Sequence, residues 1–143
     1  MIKIKKKLNE KKINIIKKKV FDKEIISFLN ELSKIIIQSK ASRKNNELMA
    51  FGFWCRNTNL QEFRQKYSKK FLENKIGVGL LFHIPPSNVI SNFAYSLLFG
   101  LLSGNTNIVR IPKRSIEFAK TLISFINKII KKKFNISKMI NFI

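Results

Sequence analysis

The sequence predicts an α/β chain in which a run of helices precedes the first β-α-β-α of a parallel sheet. Three observations carry this. Up to about Phe71 the apolar residues recur at spacings of three and four, the period of a helix buried on one face. From Lys75 the pattern changes to an unbroken apolar run, IGVGLLFHI, closed by Pro85 and Pro86, which reads as a strand buried on both faces. Finally, residues 76–112 are almost free of the lysine that fills the rest of the chain, as burial of that segment requires.

Residues 1–19 are a Lys/Ile/Asn-rich lead-in of weak periodicity, read either as frayed or as a helix packing on something outside it. Phe21, Ile25, Phe28, Leu29, Leu32, Ile35 and Ile36 then mark one face of an amphipathic helix that ends near Lys40. A second helical piece holds Leu48, Phe51, Trp54 and Cys55. A third begins at Thr58-Asn59, where Thr58 and Gln61 have capping-box spacing, and buries Leu60, Phe63, Tyr67 and Phe71. The two strands are expected at residues 79–84 and 107–111, adjacent and parallel. Between them Phe93, Ala94, Leu97, Gly100 and Leu101 suit a closely packed helix, with Gly104 as its left-handed C-terminal residue. Ser115 is the expected cap of a final helix with Glu117 in its first turn. Ile116, Ala119, Ile123, Ile126 and Ile130 form its apolar face, and Lys131, Lys132 and Lys133 lie at its negative end. Two strands leave much apolar surface uncovered, so further strands are expected beyond Lys133, with NISKMINFI as the approach to the next. The domain reading is a helical segment at 1–75 and the first part of an α/β domain at 76–143.

The 143 residues suffice for one domain with a modest core. Lys and Arg number 29 against 8 Asp and Glu, a formal charge of +21 that favours anionic partners. Lys far outnumbers Arg, however, and Ile and Asn are abundant, as A+T-rich coding imposes whatever the protein binds; a phosphate reader more often uses the forked guanidinium. Cys55 is the only cysteine, which excludes an internal disulfide and suits a reducing compartment, the cytoplasm. The basic start lacks the apolar core and small-residue cleavage site of a secretory signal. The longest apolar run, residues 89–102, is too short to cross a bilayer. No metal-ligand set is expected.

Two turns stand out, Ile84-Pro85-Pro86-Ser87-Asn88 and Ser103-Gly104-Asn105-Thr106, the second followed by Arg110, Pro112 and Lys113. Both are read as lying in loops at the C-terminal ends of strands, where α/β sheets bind ligands. An Asn amide beside a helix N-terminus offers fixed donors to an oxyanion or a phosphate. Equally, Asn88 serves as the cap of the helix that follows.

The pattern G-x-x-x-x-I-x-P-x-N, then a helix, then L-x-x-G-N-T-x-I-V-(K/R) falls here on Gly79, Ile84, Pro86, Asn88, Leu101, Gly104, Asn105, Thr106 and Arg110. It resembles the coenzyme-domain signature of the aldehyde dehydrogenase superfamily, and within it the bacterial acyl-CoA reductases of the LuxC type. Ser87 stands where ordinary aldehyde dehydrogenases carry tryptophan, and FGFWCRNTNLQEF is similar to a helical segment of LuxC-like proteins. The likeness covers residues 48–112 well and the N-terminal helices loosely.

This resemblance implies a Rossmann-like coenzyme-binding sheet, incomplete here, whose first half is residues 76–143. It implies a long-chain fatty acyl-CoA reductase that uses NADPH to make a fatty aldehyde. Asn88 falls where the family stabilises the thiohemiacetal oxyanion. Pro85, Pro86 and Ser87 fall on the loop lining the nicotinamide half of the site, and Arg110 replaces the lysine that contacts the adenosine ribose. Lys113 lies near the glutamate of NAD-preferring relatives, which points to NADP. The family's catalytic cysteine lies downstream, so this chain reads as an N-terminal fragment, inactive alone; a complementing C-terminal polypeptide or a homo-oligomer is its expected partner, and fatty acyl-CoA its substrate. Cys55 reads as a buried structural thiol and His83 as a packed core residue rather than a base. Two alternatives are a small nucleic-acid-binding protein using Lys-rich N-terminal helices, against which the commitment of most aromatics to apolar faces argues, and a peripheral membrane helix at residues 1–40, whose lysines occur on both faces.

Overall fold

The computed structural model describes residues 1–5, 13–130 and 135–143. Helix α1 (Lys23–Gln38) starts where the Asp22 carboxylate accepts the backbone N–H of Glu24 at 2.9 Å, a side-chain cap reinforced by a carboxylate in the first turn. Its apolar stripe buries Ile25, Phe28, Leu29, Leu32 and Ile36. Short α2 (Lys40–Arg43) is capped by Ser39, and α3 (Asn46–Trp54) by Asn45, whose side chain accepts the Leu48 N–H. Helices α1 and α3 pack closely because Gly52 has no side chain: a Cβ there would lie 2.7 Å from Ile36 Cγ2. Ser33 Oγ donates to the Gly52 carbonyl at 2.6 Å across the same contact.

Helix α4 (Asn57–Gln65) begins one residue before the expected Thr58 cap. Arg56 is its N-cap with no side-chain bond, and Asn30 of α1 accepts the Asn57 N–H instead. The expected face is also shorter than the periodicity suggests. Leu60 is buried and Phe63 half-buried, but the helix stops at Gln65 and Ser68 caps a separate α5 (Lys69–Glu73), leaving Tyr67 and Phe71 stacked on each other at 5.4 Å and exposed.

Strands β1 (Leu80–His83), β2 (Thr106–Val109) and β3 (Ile140–Phe142) form one parallel sheet in the order β1-β2-β3. The expected adjacent parallel pair is present, with Leu80 opposite Thr106 and His83 opposite Val109. Residues 140–142, expected only as the approach to a strand, pair with β2. Helix α6 (Asn92–Leu102) joins β1 to β2, and α7 (Ile116–Ile130) follows β2. Both pack on one face of the sheet, where Phe93 of α6 meets Phe118 of α7 and Phe142 of β3 at 5.7 and 6.2 Å. Parallel crossovers that step repeatedly in one direction with one hand place their helices on one side.

The other side of β1 is therefore bare, which corrects the reading of a strand buried on both faces. Leu80 and Phe82 are exposed while Leu81 and His83 are half-buried, and Ile76, Val78 and Ile84 continue the exposed set. The final helix differs too. Ser115 ends a 3-10 turn (Lys113–Ser115) that runs directly into α7, and its buried hydroxyl has no hydrogen-bond partner among the described residues, so it is not the cap. The buried face comprises Phe118, Ala119, Leu122, Ile123, Phe125, Ile126 and Ile129. Ile116 is exposed and Ile130 half-buried. Lys131, Lys132 and Lys133 lie outside the described residues.

The lead-in is neither frayed nor helical where described. Residues 13–19 run across the N-terminal edge of the sheet. Lys18 donates its N–H to the Gly104 carbonyl and accepts from the Gly77 N–H, both at 2.9 Å, and Ile16 exchanges two bonds with Thr106 Oγ1. At the other side Ile4 bridges β3 in parallel at Phe142. Gly104 (φ +79°) supplies the expected left-handed turn after α6. No helix among the described residues is long and apolar enough to cross a membrane.

Helix α6 lies tight against β1 and β2 at Gly100, where a Cβ would overlap Asn107 Oδ1 and come within 2.9 Å of His83 Nε2. Gly100→Ala is therefore expected to destabilise the chain by about 1–3 kcal/mol, the cost of overpacking a fitted contact. Urea unfolding checks this, and a change below about 0.5 kcal/mol would show that the helix can move away freely.

Candidate functional site

In a parallel sheet the loops that follow adjacent strands leave from the same edge. Residues 84–91 follow β1 and residues 110–115 follow β2, and one ladder bond extends past the strands: the Arg110 N–H donates to the His83 carbonyl at 3.0 Å. Arg110 is thereby fixed beside the start of the proline turn. Next to it, the Ile111 N–H donates to the Ile143 carbonyl.

Within the first loop Pro85 is buried and anchors the turn, whereas Pro86, Ser87 and Asn88 are exposed. Asn88 does not cap α6. The helix starts four residues later, with Ser91 as N-cap, and Asn88 Oδ1 accepts from the Asn92 side-chain amide at 3.2 Å. The Nδ2 group of Asn88 donates to nothing among the described residues, which leaves two N–H donors facing outward. The start of α6 is held from below by α3, since Glu47 Oε2 accepts the Ser91 N–H at 3.0 Å. Arg110 and Lys113 are exposed, and neither side chain has a hydrogen-bond or ion-pair partner among the described residues. The sheet edge thus juxtaposes an uncommitted amide in the first loop and two uncommitted cations in the second.

The second turn singled out in the sequence is not part of this edge. Ser103-Gly104-Asn105-Thr106 leads into β2 and so lies at the opposite, N-terminal edge. Its polar groups are structural. Asn105 Oδ1 accepts the Gly79 N–H at 2.9 Å, Asn105 Nδ2 bonds Ser103, and Thr106 Oγ1 holds Ile16. The reading that placed both turns beside one ligand crevice is corrected by the simple order of a β-α-β unit, in which the residues before a strand and those after it lie at opposite ends.

Asn107, which the motif left unassigned, is fully buried and central. Its Oδ1 contacts His83 Nε2 at 2.9 Å, and its Nδ2 donates to the carbonyls of Asn105 at 2.6 Å and Met139 at 3.4 Å. With Nδ2 committed as donor, Oδ1 is the acceptor and His83 carries its proton on Nε2. His83 is thus half-buried and held by Asn107, consistent with packing rather than base chemistry. The signal was present in the sequence as an Asn inside a short strand, TNIV, that runs on into apolar Ile108 and Val109.

The family model described as "Acyl-CoA reductase (LuxC)" matches residues 5–136. No curated protein and no solved structure matches the chain significantly.

Cys55 closes α3 with its side chain fully buried, and burial pushes the thiol well above its ordinary range because the thiolate cannot be solvated there. It is expected to resist iodoacetamide at pH 8 in the native chain and to react once the chain is unfolded in urea. Mass spectrometry of the two samples is the check; equal labelling would contradict a buried, protonated thiol.

Proposed function

The chain belongs to the LuxC acyl-CoA reductase family, and from that premise we propose that it forms the coenzyme-side part of an enzyme reducing long-chain fatty acyl-CoA to fatty aldehyde with NADPH. In this reading the helices between Lys23 and Glu73 are a support for the sheet. Residues 76–143 are the first half of a Rossmann-like, NADP-binding domain, and Asn88, Pro85, Pro86, Ser87, Arg110 and Lys113 contribute to its site. The observation that carries the proposal is that the loop with the exposed Asn88 amide and the loop with the uncommitted Arg110 and Lys113 side chains leave from the same sheet edge.

When bound, NADPH supplies the hydride for the acyl carbonyl. The chain's own residues would do the rest of the work at this edge. Asn88 Nδ2, unengaged and exposed, would donate to the oxygen as it gains charge, a contribution that rises toward the transition state and so accelerates reaction. Pro85 and Pro86 hold that loop with few accessible conformations, which keeps the amide preorganised. Arg110 and Lys113 would accept the 2′-phosphate in charge-assisted hydrogen bonds. The acyl-accepting thiolate is not Cys55, which is buried and strongly disfavoured as an anion; we assign that role to a cysteine outside these 143 residues.

The bare apolar face of β1 supports the same reading, because parallel sheets are ordinarily covered on both sides. A complementing polypeptide segment that covers Val78, Leu80, Phe82 and Ile84 would complete the domain. Self-association through that face is disfavoured by the +21 charge of each copy. A free thiol and the absence of disulfide framing suit work in the cytoplasm.

In the active reductase containing these residues, NADPH should be preferred to NADH by at least about tenfold in kcat/KM, since each charge-assisted bond to the 2′-phosphate is worth about 1.5–3 kcal/mol. Lys113→Glu should weaken NADPH far more than NADH. Asn88→Ala should lower kcat by about 100-fold or more with little change in KM. Steady-state kinetics of both variants decides: equal losses with the two coenzymes would make Lys113 an ordinary surface lysine, and an unchanged kcat would remove Asn88 from the oxyanion site.

A further inference from the structure

A groove of about 830 Å³ opens between residues 18–24, α4 and α5. It lies at the N-terminal edge of the sheet, since Lys18 bonds Gly77 and Gly104 and the Val20 N–H donates to the Lys75 carbonyl. It is therefore remote from Asn88 and Arg110 and belongs to a different part of the molecule.

Its floor is aromatic. Buried Phe21, held at φ +54°, packs against Phe63 and Tyr67 at 5.7 and 5.9 Å, and exposed Tyr67 stacks on Phe71. Its rim is cationic, with Lys19, Lys23 and Arg64 lining the opening. Arg64 is half-buried, yet its guanidinium has no hydrogen-bond or ion-pair partner among the described residues, and the same holds for the ammonium groups of Lys19 and Lys23. A guanidinium carries five donors in a fixed fork, and none of those of Arg64 is taken by a described residue, so all are open to the acceptors of a ligand in the groove.

The carboxylates of the groove do not cancel this charge. Lys18 pairs with Asp22 at 3.5 Å and Glu24 at 2.7 Å; Asp22 also caps α1, and Glu24 accepts the Asn135 N–H. Glu73 faces Lys69 at 3.8 Å. The five cations exceed the three carboxylates by two, and the excess resides in the three side chains without partners.

We propose that this groove binds a small organic phosphate, with the phosphate on Arg64, Lys19 and Lys23 and the planar or apolar part of the ligand against Tyr67 and Leu72. The guanidinium supplies the planar fork that matches a phosphate, the two lysines add charge, and the aromatic floor provides stacking area. A free adenine nucleotide and the phosphorylated end of coenzyme A share this chemistry. The inference does not rest on the reductase reading, because none of the residues proposed for coenzyme binding takes part.

Isothermal titration of the full chain at low salt with pyrophosphate, ADP and coenzyme A is the test. Saturable binding to one site is expected, weakened about tenfold by Arg64→Gln and about threefold by the double variant Lys19→Gln/Lys23→Gln, whose exposed positions leave the fold intact. Arg43→Gln, the same charge loss on distant α2, should change affinity by less than about twofold. Tighter binding of coenzyme A than ADP identifies the thioester substrate as the source, and equal binding a free nucleotide; both support the groove. The proposal is overturned by no saturable binding of any probe, by equal losses in Arg64→Gln and Arg43→Gln, or by a loss in Lys113→Glu without one in Arg64→Gln.

Discussion

One side chain ties the sheet together. The Asn107 carboxamide reaches His83 on β1, the Asn105 carbonyl at the entry to β2 and the Met139 carbonyl at the entry to β3, and does so beneath Gly100 of α6. A buried amide is costly to leave unsatisfied, so each of these partners must be in place for the core to close. The interaction thereby couples strand order, helix seating and the turn before β2. The placement of the two loops at the far edge depends on that register. If β1 slid by one residue against β2, Arg110 would no longer lie beside the proline turn.

The second constraint is geometric. Because α6 and α7 cover the same face, one side of the sheet holds the core of Phe93, Val109, Phe118 and Phe142; on the other, Thr106 and Ile108 of β2 are still buried, but β1 shows its alternate apolar residues. The lead-in adds to the sheet at its N-terminal edge, where its backbone joins Gly77 and Gly104 and its Lys18 head is engaged by Glu24, then Asp22, which raises the ammonium above its usual range. The buried core and the bare face of β1 thus come from the same topology. The helices bury enough to fold a core, while the strand nearest the candidate site is left with an open edge and an open face.

Much of this architecture was legible in the sequence because it rests on periodicity and on single special residues. The 3–4 spacing from Ile25 to Ile36 gave α1, the switch at Lys75 located β1, and Gly104 marked the left-handed turn. The misreadings have physical causes. Tyr67 and Phe71 continue a helical period, but Ser68 can cap, and capping there divides the helix. The lead-in pairs through backbone groups distant along the chain, Lys18 with Gly77 and Gly104 and Lys5 with Phe142, which no local pattern encodes. The Gly-Asn-Thr turn looked like ligand chemistry because Asn and Thr serve equally well as buried hydrogen-bond partners, and only the order of the strands decides which edge they occupy. Of the candidate site, the residue types of Asn88, Arg110 and Lys113 were visible in the sequence, but their unpartnered state and shared edge were not. The cationic groove at Arg64 was invisible because its walls come from three segments separated along the chain.

Equilibrium unfolding of Asn107→Ala in urea tests the organising role of this amide most directly. Removing the side chain orphans the His83 N–H and two buried carbonyls, so a loss of at least about 2 kcal/mol is expected, with amide hydrogen exchange accelerated across β1, β2 and the loops that follow them. A variant within about 0.5 kcal/mol of the parent, with β1 and β2 protected as before, would contradict it and place the determinant of the sheet in apolar packing alone.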